Sequence, residues 1–274
     1  MDLHLIVLPD LIALVGTGLV AGLIAGLFGV GGGTITVPIL YHWFKHIGVP
    51  PDLAMHAAVG TSLATIIATS ASSARAHEKR GSIDHAVVRS WGPYVAAGSL
   101  LGVGLASLLS GAEMRGIFGG FLLCVAIYML CTNEKTVLYN GLPLGWRRGA
   151  VAGGIGLLSS LVGIGGGSLS VPVMTLGGVP MPRAVGTSSA FGAVIAVPGT
   201  LGFIISGWGL ANLPPLSLGY VNILGLAVLL PATALTAPLG AKLAHKLDRT
   251  LLRHVFSVFL MFIALKMLWG LFGK

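Results

Sequence analysis

The sequence predicts an all-α polytopic membrane protein built from two inverted repeats of about five transmembrane segments each, with helices broken at glycine-rich motifs. Three observations carry that prediction. Hydrophobic residues make up 55% of the 274 positions and charged residues only 9%, with a mean hydropathy of +0.93. So few charges cannot cover the surface of a water-soluble domain of this size. Three blocks of sequence recur in the same order in the two halves. The charge of equivalent loops changes between the halves.

The recurring blocks are explicit. GVGGGTITVPIL (29–40) matches GIGGGSLSVPVM (163–174), AVGTSLA (58–64) matches AVGTSSA (184–190), and MRGIFGGFLLCVAIYML (114–130) matches LRHVFSVFLMFIALKML (252–268). One glycine-rich match could arise by chance, but three in order mark a duplication. The join falls near 140–146. It divides the chain into an N-terminal repeat, 1–140, and a C-terminal repeat, 141–274, within a single integral membrane domain.

The first half reads as five apolar segments. Segment 11–29 follows Asp2 and Asp10 rather than the cationic region of a signal peptide, so it is expected to be a retained span. Gly18, Gly22 and Gly26 recur every four residues along it, the spacing that lets helices approach closely in lipid. Segment 33–47 is short of the ~17 residues usually needed to span, so it either crosses incompletely or belongs to a broken helix. Consecutive glycines before it lower helix stability by ~1 kcal/mol each relative to alanine, and Pro38 removes a backbone donor. Thr34 is expected to cap its start. Segment 54–74 begins beside His56 and carries Gly60-Thr61-Ser62. A loop rich in charge, RAHEKRGSIDH (75–85), leads to segment 88–109. Segment 115–131 holds both cysteines, Cys124 and Cys131. They are separated by about 10.5 Å of helical rise, too far for a disulfide, and are expected to be packing residues.

The second half repeats the plan with segments 147–163, 167–178, 184–205, 216–237 and 252–272. Segment 167–178 is short like its counterpart. Ser168 is the expected cap there, after Gly165, Gly166 and Gly167.

Charge placement supports ten crossings with the N-terminus outside. Inside loops then hold Arg75, Lys79, Arg80, Arg89, Lys135, Arg147, Arg148, Arg183, Lys242, Lys246, Arg249 and Arg253, against only Lys45, Arg115 and Lys274 outside. That obeys the positive-inside rule. An odd number of spans per half inserts the second half upside down. Loop 206–215 is uncharged where its counterpart 75–89 is basic, and loop 238–253 is basic where 110–115 is nearly neutral, as inverted repeats require.

The composition excludes several functions. The formal charge of +8 sits in short loops as a topology signal, without the interleaved aromatics of a nucleic-acid surface. Metal-ligand and redox spacings are missing, so neither a metal nor a cofactor is implied. GVGGG is flanked by membrane spans rather than by the strand and later acidic residue of a dinucleotide site. An enzyme would need a nucleophile paired with a base, and only His42 and His46, at a predicted membrane exit, stand four apart.

What the glycine blocks suit is anion binding. Backbone freed at membrane depth must be buried in protein or line a cavity, and transporters use such broken helices to present N-terminal amides to anions. The candidate substrate-binding residues are therefore Gly31, Gly32, Gly33 and Thr34 with Gly165, Gly166, Gly167 and Ser168. The hydroxyls of Thr61, Ser62, Thr187 and Ser188 are expected to converge with them on one central site, although back-bonding to helix carbonyls is the ordinary alternative. Arg75 and His77 are candidates for a cytoplasmic vestibule, against the plainer role of a solvated loop. All eight acids fall in tails, loops or loop edges, so carboxylate-based proton coupling is not expected. His56 is the main remaining titratable group near the spans.

These motifs resemble those of the TauE/SafE sulfite exporter family: GVGGGTITVP, AVGTS, the HEKRGSIDH loop, GIGGGSLSVPV and AVGTSSA, over nearly the whole chain. The resemblance implies a multi-pass transporter of the bacterial or archaeal cytoplasmic (inner) membrane. Its cargo would be small sulfur-containing anions such as sulfite or organosulfonates. The segment count usual for that family is below ten, a difference that concerns the two short segments. Alternating access by a secondary transporter, exporting its substrate, is the expected mechanism. An anion channel, or a transporter of another small organic anion, is the alternative. Expected partners are the anion and the lipid bilayer; a homo-oligomer is left open.

Overall fold

The computed structural model describes residues 8–28, 32–131, 137–139, 141–244 and 249–272. Among them are ten α-helices: α1 (Leu8–Phe28), α2 (Gly33–His46), α3 (Pro51–Glu78), α4 (His85–Ala106), α5 (Gly111–Cys131), α6 (Gly145–Val162), α7 (Gly167–Leu176), α8 (Met181–Ser206), α9 (Ile223–Ala244) and α10 (Arg249–Phe272). Each corresponds to one predicted segment. By length and composition, α3, α5 and α8 qualify outright to cross a membrane.

Differences from the predicted bounds have local causes. The segment expected at 216–237 becomes a helix only at Ile223. Before it, Ser217–Leu218 (β1) and Val221–Asn222 (β2) form a minimal antiparallel hairpin. Asn222 then caps α9, its Oδ1 accepting from the Gly225 N–H at 2.7 Å. Helices α3 and α8 start early, after Pro50 and Pro180, because proline suits the first turn of a helix. Helix α3 also runs on to Glu78, so Arg75 and His77 lie in its last turn rather than in a loop. Thr34 and Ser168 are not caps. The N-cap positions are Gly32 and Gly166, without side-chain capping in either case.

Close glycine approaches fix how the helices run. A methyl on Gly18 would meet Leu229 and Ala232, and one on Gly22 would meet Thr233 and Thr236, so α1 lies parallel to α9. Gly98 meets Gly153 and Gly102 meets Leu157, so α4 lies parallel to α6. Gly60 faces Phe203, Leu63 faces Gly199 and Ser70 faces Gly192, so α3 and α8 are antiparallel. Gly119 faces Ala264 and Leu268, and Arg115 faces Gly270, so α5 and α10 are antiparallel too. Parallel pairs are an even number of connections apart along the chain, and antiparallel pairs an odd number. That is the pattern of a chain that reverses at every connection.

Helices α3 and α8 hold the middle. Trp91, Phe44, Phe118, Phe191 and Phe203 are fully buried around them. Outer helices carry the opposite pattern: Leu100, Leu101, Val258, Phe262 and Trp269 are each more than half exposed. An apolar exterior over a packed interior is what a lipid solvent permits.

Three of the acids serve helix starts. Asp84 Oδ1 accepts from the N–H groups of Ala86 and Val87. Glu113 accepts from the Ser110 N–H and hydroxyl. Asp52, at the start of α3, accepts from the Gly111 N–H and ties α3 to α5. His56 is buried, with Nδ1 2.7 Å from the Asp52 carbonyl and Nε2 2.9 Å from that of Ala106, and its ring stacks on Tyr220. It fastens α3 to the end of α4.

Candidate functional site

Two helical hairpins, α1–α2 and α6–α7, carry the glycine motifs at their tips. Gly32, in the left-handed region at φ 76°, begins α2. Gly163, at φ 73°, ends α6, with its N–H turned back to the Ser159 and Ser160 carbonyls. These are conformations in which glycine avoids the strain a side chain would bring. The pseudo-equivalent Gly166 is right-handed, at φ −56°, so the two tips are not copies in detail. Gly31 lies outside the described residues.

The tips touch. A Cβ on Gly33 would stand 2.5 Å from the Gly163 carbonyl oxygen and 2.7 Å from the Ile164 Cα. Gly32, Gly33, Thr34 and Gly163 to Gly166 are all buried. Non-helical backbone is thus enclosed by protein, as it must be at membrane depth. The returning helices are short. Helix α2 has 14 residues and α7 has 10, rises of about 21 and 15 Å, below the ~30 Å of a hydrocarbon core.

Ser62 reaches across the halves, its hydroxyl donating to the Gly163 carbonyl at 2.8 Å. With that proton committed, Thr36 is the donor in the 2.9 Å contact between Thr36 Oγ1 and Ser62 Oγ. This hydroxyl chain pins α2 and α3 to the second tip.

Thr61 and Thr187 behave as a pair, but not as the convergent site expected from the sequence. Thr61 Oγ1 accepts from the Asn222 N–H at 2.9 Å, and Thr187 Oγ1 accepts from the Asp84 N–H at 2.9 Å. Each hydroxyl therefore secures the residue that caps a helix of the other half, α9 or α4. With Ser70 opposite Gly192, Thr187 lies near the far end of α3, about 20 Å from Thr61 along that helix. Ser188 bonds back to the Val185 carbonyl. The structure brings Ser62 to the glycine tips; it does not bring Thr61 and Ser62 together with Thr187 and Ser188. Replacing Thr61 or Thr187 by valine strands a backbone N–H, costing about 1–3 kcal/mol. Each variant is expected to melt below wild type in detergent while keeping its substrate KM; a raised KM at unchanged melting temperature would return these threonines to the binding site.

At the other end of α3, an open pocket is lined by Ala74, Arg75, Glu78, Lys79 and Ile83. His77 lies in the last turn of the same helix, its carbonyl accepting from the Arg80 and Ser82 N–H groups.

Other hydroxyls, on both sides of the join, escaped the sequence reading. Ser160 Oγ donates to the Ser99 carbonyl of α4, and Ser99 Oγ to the Ile195 carbonyl of α8. The signal was available: Ser159-Ser160 stands where the first repeat has Ala25-Gly26.

The family model described as Sulfite exporter TauE/SafE matches residues 14–267. The chain is 36% identical over 258 residues to a "Probable membrane transporter protein" of Haemophilus influenzae, covering 91% of this chain and 95% of the relative. It is 29% identical to one of Methanocaldococcus jannaschii, covering 96% of each. A third, YunE of Bacillus subtilis, is 27% identical, covering 96% of this chain and 99% of the relative. No solved structure matches the chain.

Proposed function

The chain belongs to the sulfite exporter TauE/SafE family, its relatives are named probable membrane transporter proteins, and on that premise we propose that it exports small sulfur-containing anions, such as sulfite or organosulfonates, by alternating access. The observation that carries this reading is the buried contact between the two glycine tips, Gly33 against Gly163 and Ile164. Neutral backbone and hydroxyl donors gather there. Such donors suit a weakly basic oxyanion that must also be released.

The two repeats, 1–140 and 141–274, are read as inverted copies that rock against one another. Partner exchange supports this. Helix α1 packs on α9 while its counterpart α6 packs on α4, and α3–α8 and α5–α10 pair with their own counterparts. With basic loops inside a bacterial or archaeal cytoplasmic membrane, an inside-negative potential drives anion export at about 2.3 kcal/mol per charge per 100 mV. Coupling to a carboxylate is not needed.

Proteoliposome flux tests the reading. Sulfite or isethionate efflux is expected to follow the imposed voltage and to saturate. Strict dependence on a pH gradient at fixed voltage would overturn the coupling, and no flux of any sulfur oxyanion would overturn the substrate class.

A further inference from the structure

The two tips differ in how their hydroxyls are used. At the first, Thr36 spends its proton on Ser62, and Ser62 spends its own on the Gly163 carbonyl. At the second, Ser159 and Ser168, 0% and 5% exposed, have buried hydroxyl oxygens without a hydrogen-bond partner. Ser170, the counterpart of Thr36, is unpartnered as well, and Ser188, the counterpart of Ser62, has turned back to Val185. Elsewhere in these helices the usual resolution is back-bonding to a carbonyl three or four residues earlier, as at Thr65, Thr175, Ser189 and Thr233. A buried hydroxyl left unpaired is destabilising, so such a cluster at one hairpin tip calls for a ligand.

Their setting specifies its chemistry. Ser168 lies in the first turn of α7, whose N-terminus has no side-chain cap. Ser159 lies one turn before the tip on α6, where its carbonyl accepts the Ile164 N–H at 2.9 Å. From Gly149 through Gly178 the sequence has no ionisable side chain. Donors are thus neutral, and the helix end favours negative charge.

We infer that the oxyanion is held asymmetrically, at the α6–α7 tip alone, by the hydroxyls of Ser159 and Ser168 with the first-turn amides of α7. The α1–α2 tip is its structural counterpart, closed by the Thr36–Ser62–Gly163 chain. This rests on the transport reading above and adds which half binds.

The test is KM for sulfite in proteoliposomes, with melting temperature measured on the same preparations. Ser159→Ala and Ser168→Ala are expected to raise KM at least tenfold with little change in melting temperature, and Ser168→Thr, which restores the residue type of Thr34, to recover it. Thr36→Ala is expected to lower the melting temperature and leave KM within twofold. An unchanged KM in both serine variants, or an equal rise in Thr36→Ala, overturns the asymmetry. If the wild type moves no sulfur oxyanion, the transport reading has failed separately. The site is then read by thermal stabilisation with sulfite, thiosulfate, sulfate, isethionate and sulfoacetate. Stabilisation that vanishes in Ser168→Ala upholds it, and no stabilisation of wild type overturns it.

Discussion

Gly33→Ala is expected to reduce transport to background. Its methyl would lie 2.5 Å from the Gly163 oxygen and 2.7 Å from the Ile164 Cα. Both neighbours are backbone, so no side-chain rotation relieves the overlap. The tips must separate, and with them the Ser62 bond to Gly163 is strained or lost. Overpacking of this kind costs about 1–3 kcal/mol, enough to lower the melting temperature measurably and to displace both tips. Gly104→Ala is the control, because a methyl there meets nothing within 4 Å. Wild-type flux in Gly33→Ala would show that the tip contact is dispensable.

The largest loss of folded protein is expected from the α4–α6 seam. A methyl on Gly98 would stand 2.0 Å from the Gly153 oxygen, and one on Gly156 2.0 Å from the Val95 oxygen. Two helix backbones are in near contact along this line, and a helix cannot give way at one residue without tilting as a whole. Each alanine is expected to cost at least about 1–3 kcal/mol, and the double variant to leave little monodisperse protein after detergent extraction. Gly154→Ala, on the same helix but with nothing within 4 Å, is expected to behave as wild type. Normal yield and melting temperature for Gly98→Ala with Gly156→Ala would mean the helices are not held this closely.

The ten helices were legible because each is an apolar run ended by charge, proline or glycine. The start of α9 was not, since nothing in LSLGYVN says that Asn222 caps a helix rather than sitting within it. Gly18 and Gly22 read correctly as packing residues, but a small-residue stripe does not name its partner, and α9 lies some 200 residues on. The hydroxyls were least legible. Thr61 and Thr187 recur in both halves, which invited a shared ligand. Their recurrence instead reflects a shared structural duty toward Asn222 and Asp84, distant in sequence and close only after folding. Ser62 does lie at the tips, yet its acceptor is a carbonyl of the other repeat.

The exchange of partners between halves has a biosynthetic consequence. Helix α1 leaves the ribosome with a glycine groove whose mate, α9, begins at Ile223. At about 5–20 residues per second that mate follows roughly 10–40 s later. During the interval α1 sits in lipid without the helix that packs on it. The first half is therefore an unfinished object until the last quarter of the chain is made. Truncation before α9 should yield not a smaller transporter but a substrate for quality-control proteolysis.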